Sequence, residues 1–309
     1  MLNISKRLLL ILMFFSSSAL LADSLTLQII PPKPKLSWKN PRKLLISTLK
    51  ATAFAKGHSI GHVTVHVKCD ALFEHEEPIN FMAGMTQADS KEQSRVLLKD
   101  KKGMGVIFHW FKGYHETTED IKKDIPRYLE QRNRFATIRF KINHTSCLKL
   151  HRYWKEYEEK GVGANYGLEN RPRYGEGAGC TAYATSYVEL AGLLNPTLKS
   201  AWSRFHRVPM DLIGNPEKKV SLLKVLIHQK SSRWAKENEV HKKIFFYDTQ
   251  PMWSWMEKLW DSKDQLPEGY FVDEEMQNKY SRGKKKKIMA LLIDGRSVPT
   301  PLNPIWLQN

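Results

Sequence analysis

The sequence predicts an α+β fold. Two patterns carry that reading: Val63, Val65 and Val67 alternate with His62, Thr64 and His66, the period of a strand, whereas Tyr183, Tyr187, Leu190 and Leu194 recur at helical spacing. The composition agrees, since 309 residues that are 41% hydrophobic and 11% aromatic suffice for one or two packed domains. Three cysteines are too few for a disulfide-dense scaffold, and the formal charge of +17 speaks to partners rather than to fold.

Residues 1–22 read as an export signal. Lys6 and Arg7 precede an apolar run over residues 8–15, and small residues follow, with cleavage expected after Ala19 or Ala22. The run is much shorter than the ~20 apolar residues that a span requires, so no membrane anchor is expected and the mature chain is read as soluble. Export implies an oxidising compartment, where an odd number of cysteines leaves one unpaired. Cys69 and Cys147 each follow a strand-like run, which suggests that they pair and that Cys180 is the free thiol, although three connectivities are open.

Residues 29–42, with four prolines, read as an extended arm, and residues 43–56, with Leu44, Leu45, Leu49 and Ala53, as a first helix. The valine strand over residues 62–69 comes next, followed by further strands expected over residues 105–111 (GVIFHWF) and 135–142 (FATIRFKI). Residues 148–160 form a charged amphipathic helix. A glycine-rich loop from Tyr166 then opens a helix at Cys180, which stops at the breakers between Gly192 and Pro196. Beyond it, residues 220–229 and 251–260 read as helices, and 244–247 and 288–293 as short strands. The domain reading is therefore a signal over 1–22, an arm and helix over 23–56, a core over 57–194 and a mixed extension over 195–309.

The chemistry concentrates at Cys180. It enters a helix directly after Gly175, Gly177 and Gly179, where unpartnered backbone N–H groups and the helix dipole favour a thiolate and can donate to an oxyanion. The competing reading is an inert small core residue. A thiolate needs a base, and His62, opening a strand after Gly61, is the best placed of eleven histidines; its alternative is a structural histidine. His66 lies on the same strand face but ~13 Å away at strand rise, so it cannot serve the same atom. The same spacing argues against a metal held by His58, His62, His66 and Cys69. No cofactor and no metal are expected.

A Gly-His pair opening a strand, further strands, and then GCTAY at the head of a small-residue helix resemble the circularly permuted NlpC/P60 branch of the papain-like fold, which includes the lecithin retinol acyltransferase-like proteins. The resemblance covers residues 57–194. It implies a core of antiparallel strands packed on the cysteine-bearing helix, and a thiol hydrolase or acyltransferase acting on amide or ester bonds of cell-envelope peptides or lipids. On that pattern Cys180 is the nucleophile and His62 the base. The orienting third residue falls on the following strand, which makes His109 its candidate, with Asp248 as another strand-end carboxylate.

Several neighbours have plainer readings. Glu176 is read as a loop carboxylate near a positive helix end, and Tyr166, Arg171 and Arg173 as loop residues able to bind substrate or simply to meet solvent. Trp253, Trp255 and Trp260 fit helix packing better than sugar binding, the lysine run at 284–287 reads as a solvated turn, and Asn143-His144-Thr145 is a glycosylation sequon only in a eukaryotic secretory pathway. Export turns the expected polyanion from nucleic acid to the anionic envelope surface. The alternative to an enzyme is a noncatalytic, basic envelope-binding or structural periplasmic protein.

Overall fold

The computed structural model describes residues 23–54, 60–71, 77–281 and 287–308. The expected signal and all but Lys287 of the lysine run lie outside the described residues, as does His58. Strand β1 (Ser24–Ile30) is followed by helix α1 (Pro41–Phe54), strands β2 (His62–Cys69) and β3 (Ile79–Gln87), then α2 (Ser90–Leu98), β4 (Phe111–Glu116), α3 (Thr118–Arg132), β5 (Arg134–Lys141) and α4 (His144–Glu159). A two-residue strand β6 (Asn165–Tyr166) leads into α5 (Cys180–Leu190), α6 (Pro196–Trp202), β7 (Ser203–Pro209), α7 (Leu222–Ile227) and β8 (His241–Tyr247). The chain continues through α8 (Thr249–Asp261), β9 (Tyr270–Val272), α9 (Glu274–Ser281) and β10 (Lys287–Asp294).

Eight strands form one mixed sheet in the order β6-β4-β3-β2-β1-β5-β10-β9, and β7 and β8 form a separate antiparallel pair. The protein is thus α+β. Alternation sorts the side chains: Leu25, Leu27 and Ile29 of β1 and Val63, Val65 and Val67 of β2 bury against α4, α5 and α8. The opposite face, including Ile30 and Met82, packs on Ile121 and Ile125 of α3 and on Met276 and Tyr280 of α9. A third apolar cluster joins the arm and α1 to the β7–β8 pair through Leu36, Leu44, Met104, Val208 and Phe246. The local signals are conventional: Thr117 and Asp120 form a capping box at the head of α3, and Asn143 caps α4.

Three expectations change. The sheet is not confined to residues 57–194: β1, within the segment read as an arm, is a central strand between β2 and β5, and β9 and β10 come from the segment read as an extension. Nor is the sheet wholly antiparallel, because β10 runs parallel to β5 from Lys287↔Arg134 to Asp294↔Lys141. The strand expected over 105–111 is instead a 3-10 turn at Met104–Phe108, and the strand begins at Phe111, where only one apolar side, FKGYHE, needs cover. Asn143 accepts from the Ser146 N–H and donates Nδ2–H to the Val298 carbonyl at 2.8 Å. As read from the sequence, Cys69 and Cys147 form a disulfide, Cys180 is the free cysteine, and Trp253 packs in the core.

Candidate active site

β2 positions His62 as its first residue, following Gly61, and the ring is buried. The register sets its partner. Thr64 faces Gly84 across β2–β3, and Gly84 faces Glu116 across β3–β4. Since His62 lies two residues before Thr64, these positions share one sheet face. Gly84 matters because it has no side chain: a Cβ there would stand 2.4 Å from Glu116 Oε2. Across this gap the Glu116 carboxylate reaches His62, accepting from Nε2–H at 2.7 Å, with both residues buried.

Cys180 arrives from the other direction. The loop before it is shaped by Gly177, at φ +89°, whose Cβ would meet the Asn165 carbonyl at 2.2 Å. Gly179 occupies the helix N-cap, with no side chain capping the first turn, so the leading N–H groups of α5 surround the cysteine. The thiol is hydrogen-bonded to the His62 side chain and to the Val63 N–H. Nε2 of His62 is the nitrogen that meets Glu116. The Tyr166 hydroxyl, from β6, lies 4.0 Å from Sγ as a donor.

The charges reinforce one another. Burial alone would push the Cys180 thiol up, but the hydrogen bond and charge of His62, with the Val63 N–H and Tyr166 hydroxyl, hold it below the ordinary value. Burial alone would push His62 down; the Glu116 carboxylate and the bond to Cys180 reverse this and raise the ring to about 10. Both shifts favour the proton on imidazole and the negative charge on sulfur, the state in which cysteine is nucleophilic. Burial and the neighbouring sulfur keep the Tyr166 hydroxyl well above its usual range, so it stays a neutral donor.

The other sequence candidates stand elsewhere. His109, expected as the orienting residue, lies beyond the 3-10 turn, where Nδ1 is 3.0 Å from Lys102 Nζ and Nε2 is 3.8 Å from Glu92. Burial and Lys102 lower its pKa. The carboxylate on the His62 ring is Glu116, one strand position that a start at residue 111 rather than 105 brings to the end of β4. Asp248 caps α8, accepting from the Gln250 N–H and pairing with Arg204. His66 bonds Asn80 at 2.7 Å, and Glu176 pairs with Arg171. Among the described residues, no cluster of three His, Cys, Asp or Glu side chains is arranged to hold a metal ion.

Behind Cys180, α5 is braced by aromatic packing. Tyr183 and Tyr187 lie edge-on to each other, with hydroxyls 2.6 Å apart, and His115 Nε2 meets the Tyr183 hydroxyl at 2.7 Å. In front of it a cavity of about 110 Å³ opens, lined on one side by Cys180, Gly179 and Tyr166 and on the other by the arm, α1 and β8. No protein-family model matches the chain, and no curated protein or solved structure is detectably similar to it.

Proposed function

We propose that the protein is a cysteine-dependent hydrolase or acyltransferase with a permuted papain-like core, acting on amide or ester bonds of cell-envelope peptides or lipids after export. The observation that carries this reading is the buried Cys180–His62–Glu116 chain, in which the thiol is lowered and the imidazole raised. The order histidine strand, carboxylate strand, cysteine helix supports the permuted architecture, and the Cys69–Cys147 disulfide supports export.

In the first step, the Cys180 thiolate forms a C–S bond to the substrate carbonyl carbon and the carbonyl pair moves to oxygen. The N–H groups at the head of α5 and the Tyr166 hydroxyl are the available donors to that oxyanion. Collapse breaks the C–N or C–O bond while His62 passes its proton to the leaving group. Water, or an acceptor hydroxyl in acyl transfer, then gives a proton to His62 and attacks the thioester, releasing thiolate. Glu116 stabilises the imidazolium and fixes the ring. Alkylation of purified protein with iodoacetamide between about pH 5 and 9, read by mass spectrometry, tests the premise: Cys180 should react with a midpoint well below the ~8.5 of a free thiol. A midpoint at or above that value, or no reaction, overturns the enzyme.

One feature favours the noncatalytic alternative, adhesion to an anionic envelope surface: Leu223 and Ile227 of α7 are 64% and 71% exposed, with Lys224 on the same helix. On that reading, cosedimentation with anionic vesicles falls as salt rises and is unchanged by Cys180→Ala.

A further inference from the structure

The cavity in front of Cys180 is built against apolar matter. Its far wall comprises Leu36 and Trp38 from the arm, Leu44 from α1, Met104 and Val106 from the 3-10 turn, and Phe246 from β8. These elements are distant in sequence and belong to the third apolar cluster, which faces Cys180 across the cavity. Among the described residues the only charged side chain lining it is Asp248, whose carboxylate is already taken by Arg204 and the Gln250 N–H. A wall peptide brings carboxylates and ammonium groups that would be stripped of water here with no opposite charge to meet them. An aliphatic chain loses nothing on entering.

Resting on the thiol-hydrolase reading above, we infer that the chamber binds an apolar acyl or alkyl chain attached to the scissile carbonyl, so that the substrate is a fatty ester, thioester or amide rather than a charged peptide. The chamber has room for roughly four water-sized groups at their liquid volume, so it takes the first few methylenes of the chain. Thr181 does not compete for the chain, since its hydroxyl donates to the Tyr247 carbonyl at 2.8 Å.

The test separates the chamber from the thiolate. N-alkyl iodoacetamides of increasing chain length, which form a C–S bond to Cys180 as iodide leaves, probe the chamber without requiring turnover; p-nitrophenyl esters from acetate to decanoate probe it with turnover. Both series should accelerate about fourfold per added methylene up to about four carbons and then level off. Val106→Trp, or Val106→Phe should the larger fill not fold, should flatten the series. A flat wild-type series with Cys180 still alkylated by iodoacetamide itself overturns the chamber and spares the thiolate, as does faster cleavage of an alanyl-γ-glutamyl anilide than of the octanoyl ester. Failure of iodoacetamide to label Cys180 overturns both. Cleavage of phosphatidylglycerol in vesicles as well as of the soluble octanoyl ester identifies a bilayer source for the chain; cleavage of the soluble ester alone identifies a free one.

Discussion

His62 and Cys180 shift in opposite directions. The stability that His62 contributes is complete below its unfolded value near 6.5 and is lost as pH rises through about 10. The lowered Cys180 contributes above its unfolded value and loses that contribution as pH falls through the lowered one. Folding thus favours the proton on imidazole and disfavours it on sulfur. Glu116 holds this arrangement at the far side of the ring. We expect Glu116→Gln to shift the alkylation midpoint of Cys180 upward and to reduce kcat/KM by roughly 10²-fold, with the midpoint as the readout that a loss of stability would not mimic. Cys180 and His62 were legible in the sequence because glycines announce a helix head and a strand start. Glu116 was not, because FKGYHE lacks the β-branched alternation that marks β2, and the more apolar GVIFHWF drew the expected strand six residues early.

At the scale of single elements, β3 serves the site by what it omits. Gly84 leaves the gap through which the Glu116 carboxylate crosses, and the Thr64 methyl would also be pressed, at 3.0 Å, by a Cβ in that position. Gly84→Ala is expected to reproduce the upward Cys180 shift of Glu116→Gln while leaving both titrating side chains in the sequence, as measured by the same alkylation profile. The disulfide ties the end of β2 to the first turn of α4, closing 78 residues. Replacing Cys69 and Cys147 together by serine should lower unfolding free energy in urea by about 4 kcal/mol, on the chain-entropy estimate for a loop of this length. That link was legible from two strand ends. β1 was not, since SLTLQII sits between a signal-like stretch and a proline-rich one, and only its neighbours β2 and β5 reveal its place.

For the whole molecule, acid sensitivity lies away from the Cys180–His62 pair. Burial holds His66 and His115 down to about 4, so the unfolded chain binds protons that the native one refuses. Their contribution is intact above pH 6.5 and is lost as pH falls toward 4, by up to about 3 kcal/mol for each residue. Urea midpoints should drop across that interval, and His66→Gln, which retains a partner for Asn80, should blunt the drop. The α+β class was legible because valine alternation and helical spacing are local signals. The mixed sheet was not, because β10 finds β5 across some 150 residues and no short-range pattern encodes a parallel partner.

That parallel pairing bears on when the nucleophile comes alive. The sheet begins with β1 in its middle and ends with β10, so the earliest strand must wait for pairs formed at residues 62–69 and 134–141, and the flank of β5 stays open until residues 287–294 have been made. Topology of this kind carries a high contact order and folds slowly. The lowering of the Cys180 thiol depends on His62, Val63 and Tyr166, so it requires β2, β6 and the head of α5 to have met. Maturation of the site is thus coupled to completion of the fold, and a kinetic trace of refolding should show Cys180 reactivity rising with the last phase of sheet closure rather than with the first burst of secondary structure.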